Sequence, residues 1–124
     1  MKVVCVDDER LALDALCEMV NEFDYVDEVV GFNKISLVLD YLRNNDADVV
    51  ITDIVMPVLT GFEFAEKVKS ELGPNKFYFI FVTGYSEVAD EAERLGKHGF
   101  VRKPVSSVQL NKELTYYLEN IKKK

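Results

Sequence analysis

Four short stretches hold residue types that could do chemistry together. Asp7-Asp8-Glu9 follows the apolar run Val3 to Val6, and Asp53 follows Val49-Val50-Ile51-Thr52. Thr83-Gly84 ends the run from Phe77 to Val82, and Lys103-Pro104 closes Gly99-Phe100-Val101-Arg102. Grouped carboxylates repel one another and raise one another's pKa unless a cation sits among them. Their hard oxygens suit Mg²⁺, or Mn²⁺ in its place. Mg²⁺ commonly shares its shell with a phosphoryl oxygen. The Lys103 ammonium and the Thr83 hydroxyl are the groups that would hold such a phosphoryl, and Gly84 leaves space open beside Thr83. A carboxylate can also act as a covalent nucleophile and form an aspartyl phosphate. Asp53 is the candidate, because it stands alone at the tip of a predicted strand while Asp7 and Asp8 are paired for metal duty. Taken singly, each stretch has a plainer reading as a turn, a helix start or a loop. The site reading rests on all four falling at strand ends.

The elements that must position these residues alternate from end to end. The short apolar runs read as strands buried on both faces. They are Val3 to Val6, Val26 to Val30 (the weaker, ending at Gly31), Val49 to Ile51, Phe77 to Val82 and Gly99 to Arg102. Between them lie stripes at helical spacing. The first is Leu13, Leu16, Cys17 and Val20; the second is Ile35, Val38, Leu39 and Leu42, with Asn33 as its expected N-cap. The third is Phe62, Ala65, Val68 and Leu72, stopped by Gly73-Pro74. A fourth follows Ser86 with Val88, Ala92 and Leu95, and the last carries Leu110, Leu114, Tyr117, Leu118 and Ile121. Ser106-Ser107-Val108-Gln109 fits a capping box at the start of that last helix. Roughly five strands alternating with five helices imply one α/β domain over residues 1–124, a parallel sheet with helices on both faces. In such open sheets the site lies beyond the carboxyl ends of the strands.

The formal net charge of −7 repels phosphate backbones, so direct nucleic-acid binding by this domain is not expected. Lys122-Lys123-Lys124 reads as a solvated helix end or a linker stub. No segment is long and apolar enough to span a membrane, and Asp7-Asp8-Glu9 ends the N-terminal apolar run too soon for a signal peptide. The expected location is therefore the cytoplasm. Cys5 and Cys17 read as small core residues, and no Cys/His cluster offers a zinc site. His98, beside Gly96 and Gly99, reads as a loop residue.

With these residues in place, the sequence resembles the receiver domains of two-component response regulators over its whole length. The resemblance is carried by Val-Asp-Asp-Glu at 6–9, Thr-Asp-Ile-Val-Met-Pro at 52–57 with Gly61, Val-Thr-Gly at 82–84 and Lys-Pro at 103–104. It implies a flavodoxin-like sheet of order 2-1-3-4-5. It also implies that Asp53 is the phosphoacceptor for a sensor histidine kinase or phosphotransfer protein. Asp8, Asp53 and the Val55 carbonyl would bind Mg²⁺ directly, with Asp7 acting through a water. Lys103 would contact a phosphoryl oxygen, its bond to Pro104 commonly being cis in the family. Thr83 would move to bond the phosphoryl group, and Phe100 occupies the switch-aromatic position; a plain core aromatic is the alternative there.

The output face would be the fourth helix, last strand and last helix. Through it the domain would act on a downstream protein partner or an attached effector domain. It would do so as a monomer or a phosphorylation-promoted dimer. Gly96-Lys97-His98-Gly99 lacks the acidic residues that the family often places there, which weakens the case for a symmetric charged dimer. The bulky Val55 and Tyr85 flank the phosphoryl position and are expected to impede in-line water.

Three competing readings remain at this point. A phosphatase using an aspartyl nucleophile wants a second carboxylate two residues later, where this chain has Val55, so a turnover enzyme is not expected. A flavin or nucleotide binder wants a glycine-rich loop after the first strand, where this chain has Asp7-Asp8-Glu9-Arg10. A degenerate receiver would serve as a phosphorylation-independent interaction module.

Overall fold

The computed structural model describes residues 1–84 and 98–122. The expected fourth helix, Tyr85 and Gly96-Lys97 lie outside these described residues. Five parallel strands form one sheet in the order β2-β1-β3-β4-β5. They are β1 (Lys2–Val6), β2 (Glu28–Phe32), β3 (Val49–Asp53), β4 (Tyr78–Thr83) and β5 (Gly99–Arg102). Among the described residues the helices are α1 (Arg10–Asn21), α2 (Ile35–Asn44), α3 (Gly61–Leu72) and α4 (Ser107–Tyr116). The last runs on into a π-helical turn, Tyr117–Ile121.

The strands read as unbroken apolar runs because each side chain in turn serves an opposite face. Val3, Cys5, Val49, Ile51, Tyr78, Ile80 and Val82 pack with Leu13, Leu16 and Val20 of α1 and Leu110 and Leu114 of α4. Val4, Val6, Val50, Phe79 and Phe81 pack with Val38, Leu39 and Leu42 of α2 and Phe62, Phe64 and Val68 of α3. The three inner strands are therefore locked from both sides. β2, at one edge of the sheet, is half-buried at most.

Several local expectations shift. β2 runs from Glu28 to Phe32, not from Val26, because Val26 turns inward and its N–H bonds the Phe23 carbonyl at 3.1 Å. Gly31 lies inside the strand, opposite Cys5, where a Cβ would sit 2.8 Å from Cys17 Sγ. Its absence is what lets α1 lie close on the sheet. Asn33 does not cap α2: Lys34 holds that position and offers no side-chain cap. Ser106 does cap α4, but the capping box is only half formed. The Gln109 side chain is used elsewhere, as described below. α3 has a full box, with Thr60 and Glu63 each bonding the other's backbone N–H.

No described helix is long and apolar enough to cross a membrane. Cys5 is buried and Cys17 half-buried. His98 is no simple loop residue. It is half-buried before β5, edge-on to Phe79 and Phe81, and touches Lys69 of α3.

Candidate functional site

The sheet order places β1 between β2 and β3, so the connections after β1 and β3 leave toward opposite edges of the sheet, parting at the carboxyl ends of these two strands. That switch point is where open α/β sheets form a crevice. Asp7 leaves β1 there, and Asp53 is the last residue of β3. Both are nearly buried, at 7% and 6% exposure, as is Thr83 at 7% on the end of β4. Buried carboxylates and hydroxyls are costly without partners, so their gathering at one end of the sheet marks a built site.

Asp7, Asp8 and Asp53 each offer a carboxylate oxygen within 4.8 Å of the others. Lys103 reaches in from the end of β5, its Nζ donating to Asp53 Oδ2 at 3.0 Å. Its backbone N–H bonds the Thr83 carbonyl at 2.8 Å, and the Lys103-Pro104 peptide is cis. Burial works against the charge on Lys103, but hydrogen bonding to Asp53 and the fields of Asp53, Asp7 and Glu9 outweigh it, and its pKa is raised. The Asp7 carboxyl is pushed up by burial first. Asp53 and Asp8 add to that, while the Glu9 backbone N–H, 2.9 Å from Asp7 Oδ1, and Lys103 oppose it.

Three carboxylates thus face one ammonium among the described residues. The donors are hard oxygens, and three carboxylates against one ammonium leave an excess of negative charge. Both features fit a hard divalent cation.

The loop after β3 is cinched back under the site. Ile54 N–H bonds the Val82 carbonyl, and Gly61 N–H bonds the Ile54 carbonyl at 2.8 Å. A Cβ on Gly61 would lie 2.3 Å from the Asp53 carbonyl oxygen, so only glycine fits there. The Thr60–Glu63 box fixes the start of α3 beside it. The Thr60-Gly61-Phe62-Glu63 run carries the ordinary Thr-x-x-Glu signal of such a box, absent from the expectations above. Val55 lies two residues past Asp53 with its side chain 64% exposed. Val58, 95% exposed, adopts φ 75°, a left-handed conformation uncommon for a β-branched residue.

Thr83 and Phe81 share one face of β4, and register pairs them with Arg102 and Phe100. The half-buried Phe100 ring lies 5.6 Å from Phe81, which packs at 4.8 Å on Phe62. Gly84 is exposed beside Thr83, and Tyr85 lies outside the described residues. A cavity of about 300 Å³ opens from Asp7, Asp53, Lys103 and Pro104 along Ala12, Ala15 and Met19 of α1. Asp7, Asp53 and Lys103 line this cavity, Asp8 completes the carboxylate cluster beside it, and Thr83 ends the neighbouring β4 with its carbonyl bonded to the Lys103 N–H.

The sequence matches the response regulator receiver domain family over residues 3–115. It is 31% identical over 119 residues to the transcriptional regulatory protein NatR of Bacillus subtilis, covering 96% of this chain and 50% of that one. Among solved structures, the response regulatory domain of MrkE from Klebsiella pneumoniae superposes with a TM-score of 0.79 at 29% identity, covering 97% of this chain and all of that one. The chemotaxis response regulator CheY4 of Vibrio cholerae gives 0.80 at 28%, covering 92% of this chain and 95% of that one. The chain spans about half the length of the curated relatives it matches, such as NatR. On its sequence, its sheet order and its acidic crevice, the chain belongs to the receiver domains of two-component response regulators.

Proposed function

We propose that Asp53 accepts a phosphoryl group from a sensor histidine kinase or phosphotransfer protein, in a reaction that needs Mg²⁺. The observation that carries this reading is the 3.0 Å contact of Lys103 Nζ with Asp53 Oδ2 inside a cluster of three carboxylates. Asp7, Asp8, Asp53 and the Val55 carbonyl would hold the cation. When bound, Mg²⁺ supplies positive charge for the phosphoryl oxygens and lowers repulsion between them and the carboxylates. An Asp53 carboxylate oxygen attacks phosphorus, the P–N bond of the phosphohistidine breaks, and its electron pair leaves with the imidazole. Lys103 then bonds one phosphoryl oxygen in place of its bond to Asp53, and Thr83 bonds another. The protein contributes position and charge in place of covalent help.

The new charge biases an equilibrium between two arrangements of Thr83 and Phe100, which already lie on one face of the sheet. β5, α4 and the segment between β4 and β5 carry the change to a downstream protein or an attached effector domain. The protein acts as a monomer or as a dimer favoured by phosphorylation. Residues 1–124 work as one receiver unit. The chain promotes its own phosphorylation and dephosphorylation without turning over a substrate.

The test is intact mass after incubation with acetyl phosphate, with and without Mg²⁺, beside Asp53→Asn. The expected result is gain of one phosphoryl group that requires Mg²⁺ and is lost in the variant. An unchanged mass, with Mg²⁺ bound and beryllofluoride also inert, would leave a degenerate receiver that works as an interaction module.

A further inference from the structure

Lys103 reaches Asp53 from a sharp bend between β5 and α4, and the shape of that bend decides where its ammonium points. One side chain spans the bend. Gln109 Oε1 accepts from the Arg102 backbone N–H at 2.9 Å, on the near side of Lys103. Gln109 Nε2 donates to the Pro104 carbonyl and to Ser106 Oγ, both at 3.2 Å, on the far side. The amide orientation is forced: reversing it would set the amide nitrogen against the Arg102 N–H and its oxygen against the Pro104 carbonyl.

This arrangement explains the half-formed cap of α4. Ser106 Oγ accepts from the Gln109 backbone N–H at 3.3 Å, but the Gln109 side chain turns away from the helix to hold the bend. It also closes an edge. Lys103 N–H bonds across to β4, so Arg102 N–H points off the free side of the sheet, where Gln109 meets it. One turn further along α4, the Glu113 carboxylate lies against Gly99 and accepts from the Phe100 N–H. Side chains of α4 thus serve both outward-facing amides of β5, at the bend that carries Lys103 and at the switch aromatic.

We infer that Gln109 is a positioning residue for phosphoryl acceptance, holding the Arg102–Pro104 bend so that the Lys103 ammonium meets Asp53 and the incoming phosphoryl oxygens. Through the same side chain, movement of Lys103 is passed directly to the start of α4. The inference rests on the proposed phosphoryl acceptance at Asp53. It assigns to Gln109 no contact with the phosphoryl group or the metal.

The test compares the parent with Gln109→Met, Gln109→Glu and Ser106→Ala. Methionine keeps the length and helix preference of glutamine but offers the bend neither donor nor a strong acceptor. Glutamate keeps the acceptor for Arg102 N–H and loses the donor to Pro104. Ser106→Ala weakens the α4 cap without removing the Arg102 and Pro104 bonds. Three quantities are read: Mg²⁺ affinity by calorimetry, beryllofluoride affinity by ¹⁹F NMR, and the rate of phosphorylation by acetyl phosphate at saturating Mg²⁺.

Gln109→Met is expected to keep the parent's Mg²⁺ affinity while beryllofluoride affinity and phosphorylation rate each fall about tenfold, as small misplacements of a charge-bearing group do. Gln109→Glu should recover part of that loss, and Ser106→Ala should stay within about twofold of the parent although it melts earlier. Parent-like rate and beryllofluoride affinity in Gln109→Met would overturn the inference, as would an equal loss in Ser106→Ala. A parent that takes up neither beryllofluoride nor phosphoryl overturns the functional reading and the inference with it. An active parent with an equally active Gln109→Met overturns the inference alone.

Discussion

Replacing Asp7 with asparagine should stabilise the metal-free protein and remove most of its response to Mg²⁺. Asp7 is nearly buried, and its carboxylate lies within 4.8 Å of those of Asp8 and Asp53. Two unit charges at that separation repel by about 3.5 kcal/mol at an effective dielectric of about 20. Two features reduce this. Asp8 is exposed and screened, and Lys103 already offsets Asp53 from 3.0 Å. A net relief of about 1–2 kcal/mol remains, or about 4–8 °C in Tm for a domain of this size. The Glu9 N–H keeps its acceptor, because asparagine retains an Oδ1.

The sign with pH follows from the raised Asp7 pKa. A carboxyl whose folded pKa lies above its unfolded value costs stability only once it must ionise. The parent's penalty is therefore absent below about pH 4 and grows as pH rises through the raised value. The advantage of Asp7→Asn should accordingly be present at neutral pH and vanish in acid. Thermal unfolding by circular dichroism, with and without Mg²⁺ at both pH values, reads all of this. In the parent, Mg²⁺ at a hundredfold excess over its Kd adds about 2.7 kcal/mol. In the variant that gain should fall by more than half. A variant no more stable than the parent without metal, or one that gains as much from Mg²⁺, would refute the reasoning.

Other outcomes follow from the same crevice. Gly61→Ala should cost about 2–3 kcal/mol in urea unfolding, because its methyl would collide with the Asp53 carbonyl and the Ile54 Cα, backbone atoms that cannot swing aside. Val58→Asn should gain about 1 kcal/mol, since asparagine tolerates φ 75° and the exposed valine gives up no packing. Val55→Asn with Tyr85→Glu should shorten the life of the aspartyl phosphate about tenfold, by admitting and orienting water, measured as phosphoryl mass lost with time. A double variant that keeps its phosphate as long as the parent would count against a water-excluding role for these side chains.

The strands and the strand ends where the candidate site residues lie were legible because their signals are local and redundant. A run such as Phe77 to Val82 has too many β-branched and aromatic residues, and too few polar ones, to read as anything but a strand buried on both faces, and β4 occupies Tyr78–Thr83, one residue further along. Once several such runs alternate with helical stripes, the strand-end rule points directly to Asp7, Asp53, Thr83 and Lys103. What escaped reading depends on distant partners. Val26 reads as strand until Phe23 is seen to turn its N–H away. Gly31 reads as a strand terminator, although it is a contact point for Cys17 on α1. Gln109 carries a capping-box signal, but a stronger pair of partners across the Arg102–Pro104 bend draws its side chain off the helix. His98, in the Gly96-Lys97-His98-Gly99 run, is held among rings whose approach only the folded sheet defines. In each case the missing information was which other element would arrive.

The most direct test of the account is to find where the phosphoryl group goes. Protein treated with Mg²⁺ and acetyl phosphate is trapped with borohydride, which reduces an aspartyl phosphate to homoserine, then digested and sequenced by tandem mass spectrometry. Homoserine at position 53, and at neither Asp7 nor Asp8, is the predicted result. Homoserine at Asp7 or Asp8, or phosphorylated protein with none at position 53, would contradict the account.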